Sequence, residues 1–430
     1  MTKTLQALRR QLLWGCMAFA PWWGLAQAQA QSLEALIQDA LANHPSTQSQ
    51  RAQVASGIAG VESARWQFYP TPSVTLENAA TRSTDALYQG DQRVTTLRLQ
   101  QPLYTGGRLS AGADKAQASL EQSQAALKET RMQLALRVLQ TYGDWLAAHL
   151  KTQASQKSAQ THARLRDQVQ RRIAEGVSAE SDLVLALARL DAIQADVMAA
   201  RAQGDMALAR LGQLLGRPVA EATLASTLAL PRPVQAQSTG LLEQALELSA
   251  AVQKAQSQVR VQEATVAERQ ADLLPEVYLR AERQYGNFNF ANGAPENRLF
   301  VGVSSRLGAG LSGLSNVAAA RGQLEAAAAE VQVQTRALYE QVLADHALAV
   351  SSELRLASVR ASLRSAQSVS ESFDRQFLAG RKTWLDVMNA ARELALTESL
   401  MADLLSTQVV ASWRLGFYTR GIAAATQGIP

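Results

Sequence analysis

The hydrophobic pattern along the chain changes period several times, and each change marks an element. Leu33 to Phe68 has helical character and stops at Tyr69-Pro70-Thr71-Pro72, where proline removes a backbone donor and blocks continuation. Alternation follows: Val74 and Leu76, then Val94, Leu97 and Leu99, in runs of about ten residues separated by polar loops. From Ser110 to Glu175 there are 66 residues without proline, which as one helix would reach roughly 100 Å. Its apolar positions form two seven-residue series, Ala113, Leu120, Leu127, Leu134 and Ala125, Met132, Leu139, Leu146. The series lie about 200° apart, so this helix is predicted to have neighbours on both sides, like a stave in a wall. A helix about half as long is predicted from Asp182 to Leu215.

The same pattern is then written again. At a constant offset of 204, Leu103 recurs as Leu307, Gly106 as Gly310, Glu121 as Glu325, Gly176 as Gly380 and Asp182 as Asp386, while Pro70 and Pro275 match at 205. Strands are predicted at Val277 to Tyr285 and Leu299 to Leu307, and Leu324, Val331 and Leu338 keep one apolar series although Arg336 interrupts the other. The expected organisation is a signal peptide at 1–30, a first repeat at 31–215, a linker at 216–240, a second repeat at 241–418 and a tail at 419–430. The fold class is therefore α+β but mainly α, with long helical hairpins in tandem and four strands per chain. Four strands cannot close a barrel, and an open edge in lipid leaves backbone groups unpaired, so a membrane form must oligomerise.

Composition narrows the function. Aromatics are 5% and prolines only 11, as suits long helices. The basic start, the apolar stretch Leu12 to Leu25 and Ala28-Gln29-Ala30 read as an export signal. Leu13-Trp14-Gly15-Cys16 imitates a lipoprotein cleavage box, but the apolar run before Cys16 is too short and continues past it. The mature chain then has no cysteine, and no disulfide or thiolate site is available. Formal charge is +5, from 42 basic and 37 acidic residues, which does not suggest nucleic-acid binding. Beyond the signal no window holds the ~20 apolar residues of a spanning helix. Gly308-Ala309-Gly310-Leu311-Ser312-Gly313 satisfies a dinucleotide fingerprint, but a long helix and no parallel β-α-β unit follows. His44, His149, His162 and His346 have no metal-ligand spacing and are expected at solvated helix positions. With no nucleophile motif, no enzyme, cofactor or metal is expected.

Ser32-Leu33-Glu34-Ala35-Leu36 with Asn43-His44-Pro45, Gln101-Pro102-Leu103-Tyr104-Thr105-Gly106-Gly107-Arg108, and the tips Gly176-Val177-Ser178 to Asp182-Leu183 and Gly380 to Asp386-Val387 resemble the TolC-like family of outer-membrane factors. The resemblance covers nearly the whole mature chain. It implies a homotrimer with a twelve-stranded outer-membrane β-barrel and a helical tunnel in the periplasm, docked to a periplasmic adaptor and an inner-membrane ABC or proton-driven transporter. Phe377 to Ala391 looks most like members serving type I secretion of adhesins, with drug or small-molecule efflux as the alternative and a periplasmic coiled-coil scaffold without channel activity as a second.

Carried over residue by residue, the resemblance implies a periplasmic gate at Ser181, Asp182, Phe377 and Lys382, the last two standing where the best-known member has Tyr and Arg. Loss of that hydroxyl and of bidentate geometry implies a looser latch; the alternative is that these are solvated surface groups. Asp386 matches a pore acidic ring, with Asn389 in place of a second acid, or else caps the last helix. Gly176, Val177, Ser178, Gly380 and Thr383 match the adaptor-binding tips.

Overall fold

The computed structural model describes residues 31–80, 90–225, 239–291, 293–305 and 312–427. The export signal with Cys16, Leu307, and Gly308 to Leu311 of the dinucleotide-like motif lie outside them. In chain order the elements are α1 (Leu33–Asn43), α2 (Pro45–Trp66), β1 (Thr71–Asn78), β2 (Arg93–Tyr104), α3 (Arg108–Ala174), α4 (Glu180–Leu215), α5 (Thr239–Leu248), α6 (Ala250–Ala271), β3 (Glu276–Tyr285), β4 (Glu296–Ser304), α7 (Ser312–Leu378) and α8 (Trp384–Gln427).

Two expectations are corrected. The segment expected as one helix from Leu33 to Phe68 is two, because Pro45 cannot continue α1 and starts α2, while the His44 ring nitrogen accepts from the Ser46 amide at 3.1 Å. Ser249 repeats this break between α5 and α6 by capping the Val252 amide. The fourth strand ends at Ser304, before Leu307.

The two long helices are 67 residues each, about 100 Å. α3 packs against α2 and α6 over its first half and against α4 and α8 over its second, so it has neighbours on both sides as its two apolar series predict. α7 packs against α6 and then α8. Each pair of half-length helices therefore runs along one long helix, and the chain is a four-helix-wide wall with α2 and α4 at one edge and α7 at the other. Leu314, Val333, Leu343, Leu348 and Leu354 stay exposed on α7, and Ile58, Met198 and Met206 on the opposite edge.

The main core lies near mid-length. Leu33, Leu36, Ile37 and Leu41 of α1 pack on Leu134, Val138, Leu139, Tyr142 and Trp145 of α3, Leu211 and Leu215 of α4, and Trp413 and Phe417 of α8. Full burial of such side chains contributes about 1.5–3 kcal/mol each. Nearby, buried Asp345 of α7 is paired with Arg414 of α8 at 3.1 Å and accepts from Gln341 at 3.0 Å, and Arg414 also donates to Gln140 of α3. Burial raises the Asp345 carboxyl, partly offset by Gln341 and Arg414.

The strands form one antiparallel sheet in the order β1-β2-β3-β4, leaving β1 and β4 as edges. The sheet joins α3 through Gly106 and Gly107, both at positive φ (62° and 89°), which eases the strand-to-helix bend.

Candidate functional site

Strand register sorts the sheet into two faces. Val74 pairs with Leu97, Pro72 with Leu99, Leu279 with Val301, Ala281 with Leu299 and Val277 with Val303, so these side chains share one face. That face is apolar and open: Val74 is 70% exposed and Val301 73%. Ser73, Thr75, Arg98, Gln100, Arg280, Glu282, Gln284 and Arg298 share the other face, where Arg98 and Arg280 meet Glu282 at 2.6 and 3.1 Å and Arg298 pairs with Glu296. Along β3 and β4 the apolar-face residues Ala281 and Val301 are exposed while Glu282 and Phe300 are partly covered. The polar face is the more sheltered one around Glu282 and Phe300, while Arg98, Glu296 and Arg298 on it remain exposed.

Aromatics mark both ends of the apolar band. Tyr69 and Tyr104 stand at the helix end and Tyr285 at the loop end, all exposed. Nine residues of β2 separate Tyr104 from Thr95, the register partner of Tyr285. That is roughly 30 Å of strand, or about 23 Å at a tilt of about 40°, close to the apolar band of an outer-membrane barrel. Among the described residues no helix is long and apolar enough to cross a membrane.

At the far end of the long helices, both tips are built on the same turn. The Gly176 amide donates to the Ile173 carbonyl at 2.9 Å and the Val177 amide to Arg172 at 2.8 Å. The Gly380 amide donates to Phe377 at 3.0 Å and the Arg381 amide to Gln376 at 2.8 Å. Both glycines sit at φ 73°, so each long helix ends in a Schellman motif whose left-handed residue must lack a Cβ.

After the turns the tips diverge. Thr383 and Asp386 cap α8 reciprocally: the Asp386 amide donates to Thr383 Oγ1 at 3.3 Å, and the Thr383 amide and hydroxyl donate to Asp386 Oδ2 at 3.2 and 2.8 Å. Lys382 lies 3.9 Å from the same oxygen and 4.4 Å from the Phe373 ring. The Thr383 hydrogen bonds, and then Lys382, hold the Asp386 carboxyl below its ordinary range, so it remains anionic. Asn389 is exposed one turn further along α8. In the first tip Ala179 occupies the cap position of α4 and offers no side-chain bond, and Val177 is 67% exposed.

Of the gate residues named from the sequence, Phe377 is not at the surface. It is 2% exposed, packed with Leu165, Val387, Met388 and Ala391, because the turn folds the start of α8 back over the end of α7. Arg172 of α3 lies over its ring at 4.1 Å and donates to its carbonyl at 2.9 Å. Arg172 joins the two tips but is not marked in the sequence: at the 204-residue offset it corresponds to Gln376, so the duplication carries no signal for it. Ser181 is exposed, Asp182 partly so, and among the described residues no cation lies within 4.0 Å of Asp182. Lys382 pairs within its own tip with Asp386, not with Asp182.

The histidines expected in solvent need correction. His162 is 1% exposed, with Nδ1 3.0 Å from the Ser158 carbonyl oxygen, because its helix face turns toward the neighbouring helices. Burial lowers its pKa, opposed by the Ser158 carbonyl and aided by Arg189, which keeps the ring neutral. His44 caps α2, and His149 stacks on Trp145 with Glu221 at 2.6 Å. Among the described residues no group of three or more His, Cys, Asp or Glu could hold a metal ion.

Comparison with known proteins agrees with this geometry. The family model described as outer membrane efflux protein matches residues 36–217 and 241–419, once for each repeat. The outer membrane protein TolC of Vibrio cholerae serotype O1 is 24% identical over 376 residues, 85% of each chain. The alkaline protease secretion protein AprF of Pseudomonas aeruginosa is 25% identical over 338 residues, 76% of this chain and 69% of that one. In fold, the chain resembles the Campylobacter jejuni CmeC outer membrane channel with a TM-score of 0.77 at 14% identity, covering 91% of this chain and 85% of that one. A non-enzymatic, mainly helical chain with a four-stranded antiparallel sheet, it belongs to the outer membrane efflux protein family, the TolC-like channels of the outer membrane.

Proposed function

We propose that three copies of this chain close into a twelve-stranded outer-membrane barrel continued by a helical tunnel through the periplasm. The observation that carries this is the sheet itself: four strands with one apolar face and two unpaired edges, β1 and β4. In lipid each unsatisfied backbone group costs several kcal/mol, and pairing β4 of one copy with β1 of the next removes both edges. The helical wall has matching needs, since α7 and the α2/α4 edge both leave apolar side chains exposed. Because the two edges differ, the contact is head-to-tail and closes as a ring.

The repeats, 31–215 and 241–418 around a linker at 216–240, then supply one hairpin pair each to the tunnel. Ser181, Asp182 and Lys382 form the closing contacts between neighbouring tips, with Phe377 holding the second tip in shape. Asp386 serves as cap and ring together: its Oδ2 is engaged by Thr383 and Lys382, while its Oδ1 makes no bond among the described residues and remains available to a cation. Asn389 adds no charge, which implies weak cation block. Gly176, Val177, Ser178, Gly380 and Thr383 present the surface for a periplasmic adaptor linked to an inner-membrane ABC or proton-driven transporter.

The cargo reading we favour is type I protein secretion, of an adhesin-like polypeptide, supported by the secretion role in the name of the Pseudomonas relative. Small-molecule efflux is the second reading, favoured by the family description. Replacing Thr75 in β1 by cysteine and scanning a second cysteine along β4 should, in the otherwise cysteine-free mature chain, crosslink membrane-embedded copies into dimers and trimers and nothing larger. No crosslink in any register would sink the barrel. Deleting the chain in its host should stop a secreted polypeptide from reaching the medium; unchanged secretion with increased drug sensitivity would select efflux.

A further inference from the structure

Every acidic residue of the sheet, Glu77, Glu276, Glu282 and Glu296, lies on its polar face, but the arginines do not all do so. Arg98, Arg280 and Arg298 are on that face with Glu282 or Glu296 as partners. Arg93 and Arg283 are on the other face, among the apolar side chains: Arg93 pairs in register with Asn78, and Arg283 with Leu97 and Asn297. Both are exposed, and among the described residues no carboxylate lies within 4.0 Å of either.

Their height decides what they meet. Arg283 lies two residues short of Tyr285, and its guanidinium is 5.2 Å from that ring, so the side chain reaches toward the loop end. Arg93 lies two residues beyond Thr95, the partner of Tyr285, at the start of β2. A guanidinium inside the apolar band is costly, and long cationic side chains near its border extend to the interface. Both charges therefore converge on the headgroup level of the leaflet at the loop end. Neither is on an edge strand, so strand pairing between copies leaves both uncovered.

We propose that Arg93 and Arg283 form a lipid-facing site for the phosphate groups of anionic lipid in the outer leaflet, one per protomer. The proposal rests on the apolar face lying in lipid. Unpaired guanidinium forks suit phosphate oxygens, to which they donate in pairs, and lipid phosphates at this height would neutralise the only charges on that face among the described residues. A basic residue at a charged membrane surface contributes about 1 kcal/mol, or about fivefold in affinity.

The test uses the mature protein in non-ionic detergent, titrated with diphosphorylated lipid A, the same lipid stripped of phosphate, and inorganic phosphate. Phosphorylated lipid should bind well above the dephosphorylated form. Arg93→Gln and Arg283→Gln should each weaken that binding about fivefold, and Arg98→Gln on the polar face should leave it unchanged. Equal binding of the two lipids, or full affinity in the double variant, would overturn the site. Competition by inorganic phosphate at equal concentration would overturn the assignment to lipid. Single-channel conductance of the same preparations separates the two readings: its loss in the unmutated protein refutes the channel, whereas normal conductance with unselective lipid binding refutes only this site.

Discussion

The two hairpin tips stand at the same place in the two repeats and differ in how firmly they are held. Both keep the glycine at φ 73° and the paired turn bonds. The second adds a reciprocal cap from Thr383 and Asp386, a buried aromatic in Phe377, and Lys382 over Phe373. The first has alanine at the cap and exposes Val177, Val184, Leu185 and Leu187. The second tip also exposes Leu378 and Leu385, so what divides the copies is the cap and the buried ring, which fix the second turn and have no counterpart in the first. A duplicated hairpin thus holds one turn more firmly than the other, with Arg172 tying the two together.

The largest break in this asymmetry should come from the buried aromatic. Phe377→Ala empties a packed site and removes the Arg172 ring contact, with an expected loss of about 3–5 kcal/mol local to the second tip. Hydrogen exchange should rise most over Phe373–Ala391 and less around Arg172 in the first tip, which loses one contact; equal loosening of both would show the corner is shared.

A smaller and reciprocal pair concerns the caps. Thr383→Ala should cost about 1 kcal/mol, while Ala179→Thr should gain a similar amount. Ala179 already has the extended backbone of a cap residue (φ −82°, ψ 152°), and Asp182 stands three residues on, as Asp386 does from Thr383. The Asp386 carboxyl sits below its ordinary range, so its share of the second cap is complete at neutral pH and is lost only as pH falls through that lowered value. Exchange protection of the α8 amides measured against pH should show this, and Asp386→Asn should remove the dependence. A cap equally stable in the Asn variant at every pH would mean the carboxylate contributes nothing.

The smallest effect is expected at the contacts between tips. Asp182→Ala with Lys382→Ala removes charges each worth about 0.2–1 kcal/mol, yet repeated around a ring this should raise the conductance of the closed channel. An unchanged closed-state current would leave these residues as ordinary surface charges.

Much of this was legible because it is periodic or repeated. The two seven-residue series of α3 implied neighbours on both sides, and α3 has them; alternation over ten residues implied strands, and the register places Val74, Leu97, Leu99, Val277 and Leu299 on one face, although Val94 falls on the other, opposite Glu77. The offset of 204 located both tips. What escaped was set by pairs distant in sequence. Arg172 acts on Phe377 across 205 residues, and Asp345 meets Arg414 from another helix. No spacing rule links such partners. His162 was misplaced for a related reason: one polar residue on a long helix does not reveal which neighbour covers it. Pro45 carries a second signal besides its place at the start of α2, since a proline that opens a helix also ends the one before it.

The unlike edges of the protomer have a genetic consequence. Since β1 and β4 are different surfaces, in the proposed ring each copy both offers a seam and receives one, and two copies joined by one seam still leave two edges open. In the proposed ring of three, a single subunit damaged at one edge strand breaks one of the three joints, and an open ring leaves unpaired backbone in lipid. If intact and edge-damaged alleles were expressed equally in one cell, only about one ring in eight would be whole. Lesions confined to an edge strand should therefore behave as dominant, whereas those in the buried core, which remove the subunit before it assembles, should be recessive.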